Sequence, residues 1–341
     1  MLDIRFIREQ PDLVQAGARK KHIDVDIRQL LEVDQQRRRL LGRVEELKAQ
    51  RNRMSKEIAT LEGEAKQAAI SAMKEVAAES RGLEGSLRDA QAEYEALMLR
   101  VPNVPADEVP EGETDADNVV VKTWGEPPQF DFTPLDHVEL GERLDIIDIP
   151  RAVKLAGART YFLKNAGALL EQAVLQFALH HMARKGFAPF LVPHLVKDDP
   201  MVGTAYFPVG QEQTYRLQED GLNLIGTAEV PLTAYHAGEI LAEGDLPSYT
   251  VGLSSCYRRE AGTYGKDTRG LFRIHQFQKV EQVVLCANDP AESARQHEHI
   301  LANAEEVLQA LGLPYRVVVV CGGDLGVPQV MKYDIETWMP G

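Results

Sequence analysis

The chain has 341 residues, enough for two domains with at least one sizeable core, and carries a net charge of −14. That balance excludes indiscriminate polyanion binding, so any contact with nucleic acid has to rest on a local basic patch. Three cysteines (Cys256, Cys286, Cys321), an odd number without a CxxC pair, exclude a disulfide framework and fit a reduced, cytoplasmic chain. The opening MLDIRFIREQPDLV is charged from its third residue, and no run reaches the ~18 apolar residues of a membrane span, so no membrane partner is expected.

After a short first helix, residues 27–101 are the most strongly periodic segment. Leu40, Val44, Leu47, Arg51, Met54, Ile58 and Leu61 recur at spacings of three and four. So do Ala69, Met73, Val76, Ser80, Leu83, Leu87, Ala90, Tyr94, Leu97 and Val101. A break near Glu62-Gly63-Glu64 lets the chain reverse, which predicts an antiparallel two-helix coiled-coil arm about 50 Å long. Residues 35–56 hold Arg37, Arg38, Arg39, Arg43, Lys48, Arg51, Arg53 and Lys56 against Glu45 and Glu46, a local excess of +6. Such a stripe is either a solvated face with interhelical pairing or, on an otherwise acidic chain, a surface for an anionic partner.

Val101 to Pro128 is rich in proline and acidic residues and poor in periodicity, which predicts a linker over 105–130 between an arm (1–104) and a core (131–341). A helix starts near Asp136. A longer one runs to about Lys185 with Leu169, Leu170, Ala173, Val174, Phe177 and Ala178 at helical spacing, stopped by Gly186 and followed by a strand from Phe187 to Val192. Its apolar face packs either on its own sheet or on a second subunit. Gly226-Thr227-Ala228-Glu229-Val230-Pro231 follows a short apolar strand and sets a hydroxyl two residues from a carboxylate, a pattern that also occurs as a plain helix cap.

Thr250 to Val283 reads as a long antiparallel hairpin. Alternation puts Ser254, Cys256, Arg258 and Glu260 on one face with Arg273, His275, Phe277 and Glu281, if Arg258 lies opposite Arg273. Val251, Leu253, Tyr257, Phe272, Ile274 and Val280 form the other, packing face. Two arginines, two glutamates and a phenyl ring on one face suit a nucleotide: forks for phosphate, an acceptor for an exocyclic amine, a plane for a purine. The bland alternative is a hairpin with a solvated polar face. The connecting loop, Ala261 to Gly270, has three glycines plus Lys266, Asp267 and Arg269, and can bend over a ligand.

Arg258-Arg259-Glu260, this glycine-rich loop, Asp267-Thr268-Arg269-Gly270-Leu271, His275-Gln276-Phe277 and Lys279-Val280-Glu281 together resemble motif 2 of the class II aminoacyl-tRNA synthetases, and most closely the bacterial seryl-tRNA synthetases. The resemblance extends in order along nearly the whole chain. It implies an α+β fold, a class II core of antiparallel sheet flanked by helices carrying the N-terminal arm. It also implies activation of L-serine by ATP with Mg²⁺, and transfer to tRNA(Ser) and tRNA(Sec).

By the same resemblance, Arg258 and Arg273 are the catalytic cations and Arg258, Arg259, Glu260, Ile274 and Phe277 bind ATP. Thr227, Ala228, Glu229 and Glu281 bind serine, although a proline is usual where Gly226 stands. Arg37, Arg38, Arg39, Arg43, Lys48 and Arg53 of the arm face tRNA. Arg159 to Pro193 resembles motif 1 and implies a homodimer. Motif 3, with its γ-phosphate arginine, and the expected metal ligands lie past Gly341. Residues 1–341 are therefore expected to be impaired, and a non-catalytic tRNA-binding homologue is the alternative. An aminoacyl ligase for a carrier protein fits less well, since those homologues lack the long arm.

Three further patterns are declined. His297 and His299 are not joined by a carboxylate or cysteine set that would hold a metal. Gly265-Lys266 lacks the serine or threonine of a P-loop, because Asp267 follows. Cys321 to Gly326, after a strand over Val317 to Val320, reads as a turn.

Overall fold

The computed structural model describes residues 2–262 and 269–340, and the chain divides into two compact units. One comprises Met1–Val119 with Val319–Lys332, and the other Val120–Val318 with Tyr333–Gly341. Lys266, Asp267 and Thr268 of the predicted loop lie outside the described residues.

In the first unit, α1 (Ile4–Glu9) and α2 (Pro11–Lys20) precede two long helices, α3 (Ile27–Ile58) and α4 (Gly63–Met98). Asp26 starts α3 by accepting from the amides of Arg28 and Gln29 at 2.8 and 3.2 Å. Between α3 and α4 the chain turns at Gly63, whose φ of +59° is cheap for a residue without Cβ. The seam is packed unevenly along its length. Its base is a closed core of Ile7, Val14, Ile27, Leu30, Val33, Leu97, Met98 and Val101. Val44, Leu47, Ser80 and Ala90 are buried further out, yet no residue between Lys48 and Glu79 is buried. The heptad spacing continues to the tip, but there it is filled by Ala69, Met73 and the exposed Arg51, which bring too little apolar surface to close it.

The first unit also holds a buried ammonium that sequence reading missed. Lys21, 2% exposed, donates to the carbonyls of Gly326 and Val327 at 3.1 Å and to that of Gln329, and burial lowers its pKa to about 8.

The second unit starts with β1 (Val119–Trp124), α5 (His137–Arg143), β2 (Ile147–Asp148), α6 (Ile149–Ala156) and β3 (Phe162–Leu163). Then follow α7 (Ala166–Arg184), β4 (Ala188–Leu191), β5 (Leu195–Val196), α8 (Asp198–Gly203), β6 (Arg216–Leu217), β7 (Leu222–Leu224) and α9 (Glu229–Thr233). The last elements are β8 (Ser248–Tyr257), β9 (Gln276–Leu285), α10 (Pro290–Ala310), β10 (Tyr315–Val319) and β11 (Tyr333–Thr337). Within the stretch read as a linker, β1 joins a three-stranded sheet ordered β1-β10-β11. Sequence reading passed over it because its three valines are flanked by proline and acid rather than by an alternating pattern.

The sheet that carries the site is ordered β4-β8-β9, with β4 parallel and β9 antiparallel to β8. One of its faces is core: Val251 and Val280 meet Met182, Phe187, Val284, Ile300 and Val307. Phe272 was expected there and is instead 60% exposed, with its ring edge-on to His137 at 4.6 Å. His299, on α10, packs against Phe187 and Tyr249, and His297 against Tyr333. Among the described residues no helix is long and apolar enough to cross a membrane.

Candidate active site

The hairpin register differs from the expected one by two residues. Gly252 lies opposite Glu281, Ser254 opposite Lys279 and Cys256 opposite Phe277. The ladder runs on with the Arg258 amide donating to the His275 carbonyl at 3.0 Å, so Arg258 faces His275, not Arg273. Arg273 instead pairs with Glu260 at 3.0 Å. The physical reason is charge: the predicted register sets two guanidinium groups directly across from one another, whereas the observed one sets a cation across from an anion. A two-residue shift leaves strand parity unchanged, and the even-numbered residues of β8 still share a face with the odd-numbered residues of β9.

On that face the serine-site candidates meet. Thr227 is fully buried; its hydroxyl donates to Glu281 Oε2 at 2.6 Å and accepts from the Glu229 amide at 3.1 Å. One hydroxyl thus ties the start of α9 to the carboxylate on β9. Lys279 Nζ also contacts Glu281 Oε2. Ala228 is buried where α9 comes down on β8: a Cβ placed on Gly252 would lie 3.0 Å from its methyl. Glu229, at the start of α9, accepts from the Tyr206 hydroxyl at 3.2 Å.

Beside this cluster the Arg258 guanidinium sits over the Phe277 ring, 5.2 Å from its centroid. Gly226 lies beside Arg258: an added Cβ would stand 3.6 Å from Arg258 Nε, an ordinary van der Waals contact, so a larger residue also fits there. Arg259 donates its amide to the Gln213 carbonyl at 2.8 Å, and its guanidinium to the Glu212 carbonyl at 3.4 Å. Strand alternation puts Arg259 and the half-buried Ile274 across from Arg258 and Phe277. Arg159 accepts the His275 amide on its carbonyl at 3.1 Å, joining the stretch before α7 to the hairpin. At the far end of the loop, Arg269 pairs with Asp136 at 3.0 Å.

The electrostatics of the cluster are uneven. Burial, and then the neighbouring Glu281, push the Glu229 carboxyl above its ordinary value; Tyr206, Lys279 and Arg258 pull the other way. Burial, reinforced by Glu229, raises the Tyr206 phenol, and burial raises the Cys256 thiol. Tyr206 and Lys279 are the two members sequence reading missed. Lys279 has the same parity as Phe277 and Glu281 and was legible. Tyr206 lies in an aperiodic segment and carried no signal.

Two further surfaces carry residues singled out in the sequence. On the arm, Arg37 and Arg38 are held with Arg8 around Asp34, whose side chain is fully buried. Arg43 is paired with Glu79 and Glu46, and Lys48 with Glu84. Arg39 and Arg53 have no acidic partner among the described residues. In the second unit, Leu155, Phe162, Leu169, Leu170 and Leu191 are exposed, Leu191 by 84%, along α6, β3, α7 and β4. Only Gly167 and Met182 of α7 are buried.

Comparison with known proteins now decides the family. Residues 1–105 match the seryl-tRNA synthetase N-terminal domain, and residues 213–341 the class II tRNA synthetase core domain (G, H, P, S and T). The serine–tRNA ligase of Deinococcus radiodurans is 44% identical over 340 residues, covering 100% of this chain and 80% of the relative. The chain belongs to the seryl-tRNA synthetases. The synthetase of Geotalea uraniireducens is likewise 44% identical, with 81% of it covered. Among solved structures, seryl-tRNA synthetase from Pyrococcus horikoshii complexed with ATP has a TM-score of 0.90 at 37% identity, covering 100% of this chain and 81% of the other. The cytoplasmic serine–tRNA ligase of Naegleria fowleri in complex with AMP has a TM-score of 0.86 at 28% identity, covering 100% of this chain and 80% of the other. The helical arm and α+β core derived above are those of this synthetase family.

Proposed function

We propose that the protein activates L-serine with ATP and transfers it to tRNA(Ser), with tRNA(Sec) as a second acceptor, in the cytoplasm. The observation that carries this reading is the joining of Thr227, Glu229, Glu281 and Lys279 into one polar cluster beside Arg258 and Phe277. A carboxylate pair next to a buried hydroxyl suits an α-amino acid with a short hydroxyl side chain, and a guanidinium over a phenyl ring suits an adenylate.

In the first step a serine carboxylate oxygen attacks the α-phosphorus of ATP. The bond to the bridging oxygen breaks, and pyrophosphate leaves with its electron pair. A ribose hydroxyl of tRNA then attacks the serine carbonyl, AMP leaves, and the hydroxyl proton passes to solvent. Arg258 stabilises the α-phosphate and Arg273 the phosphates, Glu260 accepts from the adenine amine, and Phe277 stacks on the base. Arg259 and Ile274 line the nucleotide through their backbone, while Thr227, Ala228, Glu229 and Glu281 hold the serine ammonium and hydroxyl. Mg²⁺ belongs to the same reading. No group of three or more His, Cys, Asp or Glu is placed to hold a metal ion among the described residues, so no step is routed through one.

Residues 1–104 serve in this reading as the tRNA-binding arm, 105–130 as the connection and 131–341 as the catalytic core. Arg39 and Arg53, with Arg37, Arg38, Arg43 and Lys48 beside them, meet the tRNA backbone. A homodimer through Arg159 to Pro193 buries the exposed Leu169, Leu170 and Leu191. The test is exchange of labelled pyrophosphate into ATP by the native gene product with each amino acid in turn. Exchange that depends on serine, followed by charging of tRNA(Ser), is expected; exchange driven equally well by alanine would refute the assignment.

A further inference from the structure

The paired ladder of β8 and β9 ends at Tyr257 and Gln276. Arg273, to which the reading above gives the phosphates, lies outside that ladder, so strand pairing alone does not fix it. One hold on this stretch is Arg159, whose guanidinium donates to the Arg273 carbonyl at 3.3 Å. The other comes from the first turn of α5. Asp136 caps that helix through Oδ1, accepting from the amides of Val138 and Glu139 at 3.0 and 2.9 Å, and pairs through Oδ2 with Arg269 at 3.0 Å. His137 follows, and its Nε2 accepts the Leu271 amide at 2.9 Å. Its ring also meets Phe272 edge-on, with the planes 72° apart. Gly270 comes so close that a Cβ there would run into Nε2, and its φ of +79° likewise favours glycine. The helix beneath is firmly seated: Val138 and Gly141 are buried, and a Cβ on Gly141 would collide with Ile147.

We propose that His137 is a positioning residue for ATP: by accepting the Leu271 amide it anchors the chain that leads into β9 and so sets where the Arg273 guanidinium stands. The inference rests on the nucleotide reading above. Residues 269–272 all rest on one helix turn, but Arg269 is exposed and its ion pair with Asp136 is correspondingly weak. The half-buried hydrogen bond to His137 fixes the backbone itself, two residues before Arg273. A neutral imidazole that accepts on Nε2 carries its proton on Nδ1, which defines the tautomer this role requires. Cations on a transferring phosphate act through their placement, so a looser anchor weakens the grip on ATP and leaves the serine cluster of Thr227, Glu229 and Glu281 as it is.

The test compares His137→Leu, which fills similar volume without an acceptor, with His137→Gln, whose Oε1 can take the place of Nε2. Both are made in the native gene product and read by serine-dependent pyrophosphate exchange, with the thermal midpoint as a check on folding. His137→Leu should raise the KM for ATP about 5-fold, the value of one ordinary hydrogen bond, with the KM for serine nearly unchanged. His137→Gln should recover most of that loss. In an Arg273→Ala background the leucine substitution should add nothing further to the ATP defect. The tautomer supplies a reading that needs no variant to fold: nitrogen NMR of the histidine-labelled native protein should show His137 protonated on Nδ1 and bare on Nε2. An unchanged KM for ATP in His137→Leu, equal losses for ATP and serine, a glutamine variant no better than leucine, or a proton on Nε2 would each overturn the inference while leaving the proposed activity standing. A native protein without serine-dependent exchange would overturn the proposed activity, and this inference with it.

Discussion

Two clusters of charge, one in each unit, are built on opposite plans. At the arm base Asp34 is fully buried and surrounded by Arg8, Arg37 and Arg38 at 2.8 to 3.1 Å, and the Arg37 guanidinium also lies 4.3 Å from the centre of the Tyr94 ring. Both carboxylate oxygens of Asp34 are occupied. At the hairpin, Glu281 is engaged through one oxygen by Thr227 and Lys279, and Glu229 through one oxygen by Tyr206. A cluster whose carboxylate has both oxygens taken holds a fold together, whereas one whose carboxylates each keep an oxygen open is ready for a ligand. The difference gives separate expectations for stability and for catalysis.

The largest expected effect is at the open cluster. Arg258→Ala should lower serine-dependent pyrophosphate exchange by about 10³ or more, because a positioned cation on a transferring phosphate contributes on that scale. Its thermal midpoint should stay near that of the unchanged protein, since the Arg258 side chain is exposed. A large fall in the midpoint would break the comparison.

Asp34→Ala should do the reverse. Leaving three arginines around a vacated carboxylate is expected to cost about 3–5 kcal/mol of stability, with the KM for serine unchanged. Denaturant unfolding gives the first number and exchange kinetics the second. Burial raises the Asp34 carboxyl, but hydrogen bonds from Arg37 and Arg8 outweigh it, and its pKa ends below the ordinary value. The stabilisation is therefore present above the unfolded carboxylate value of ~3.9 and is lost as pH falls through the lower, folded value. The gap between Asp34→Ala and the unchanged protein should close in that window.

The arm itself was largely legible because helical neighbours lie three and four residues apart, so its seam is written in local spacing. What spacing did not reveal is how far the seam closes, which depends on side-chain volume: Val44 and Leu47 are buried, Met54 and Ile58 only partly. Val44→Ala should therefore cost about 2 kcal/mol and Met54→Ala well under half of that, by denaturant unfolding. The hairpin is a different problem. Its faces were readable, since alternation is indifferent to a two-residue shift. Its register was not, because that depends on the cross-strand pairing of Glu260 with Arg273. Lys279 was overlooked although its parity announces it. Tyr206 reaches Glu229 across 23 residues of chain, a pairing no local pattern encodes.

A smaller effect separates the arm's own charges. Arg39 and Arg53, which have no acidic partner among the described residues, should weaken tRNA binding when changed to glutamate, and the slope of log affinity against log salt should shrink by about one for each phosphate left without its cation. Arg38→Glu should instead show most of its effect in stability, through Asp34.

Whether the open cluster reads a serine hydroxyl next to an adenylate is tested most directly by calorimetric binding of a non-hydrolysable seryl-adenylate mimic, a seryl sulfamoyl adenosine, with the alanyl mimic as control. The native gene product should bind the seryl mimic at least about 100-fold more tightly than the alanyl one. Thr227→Val together with Glu229→Gln should erase most of that difference while leaving the alanyl affinity in place. Equal affinity for the two mimics, or a preference that survives the double substitution, would contradict the assignment.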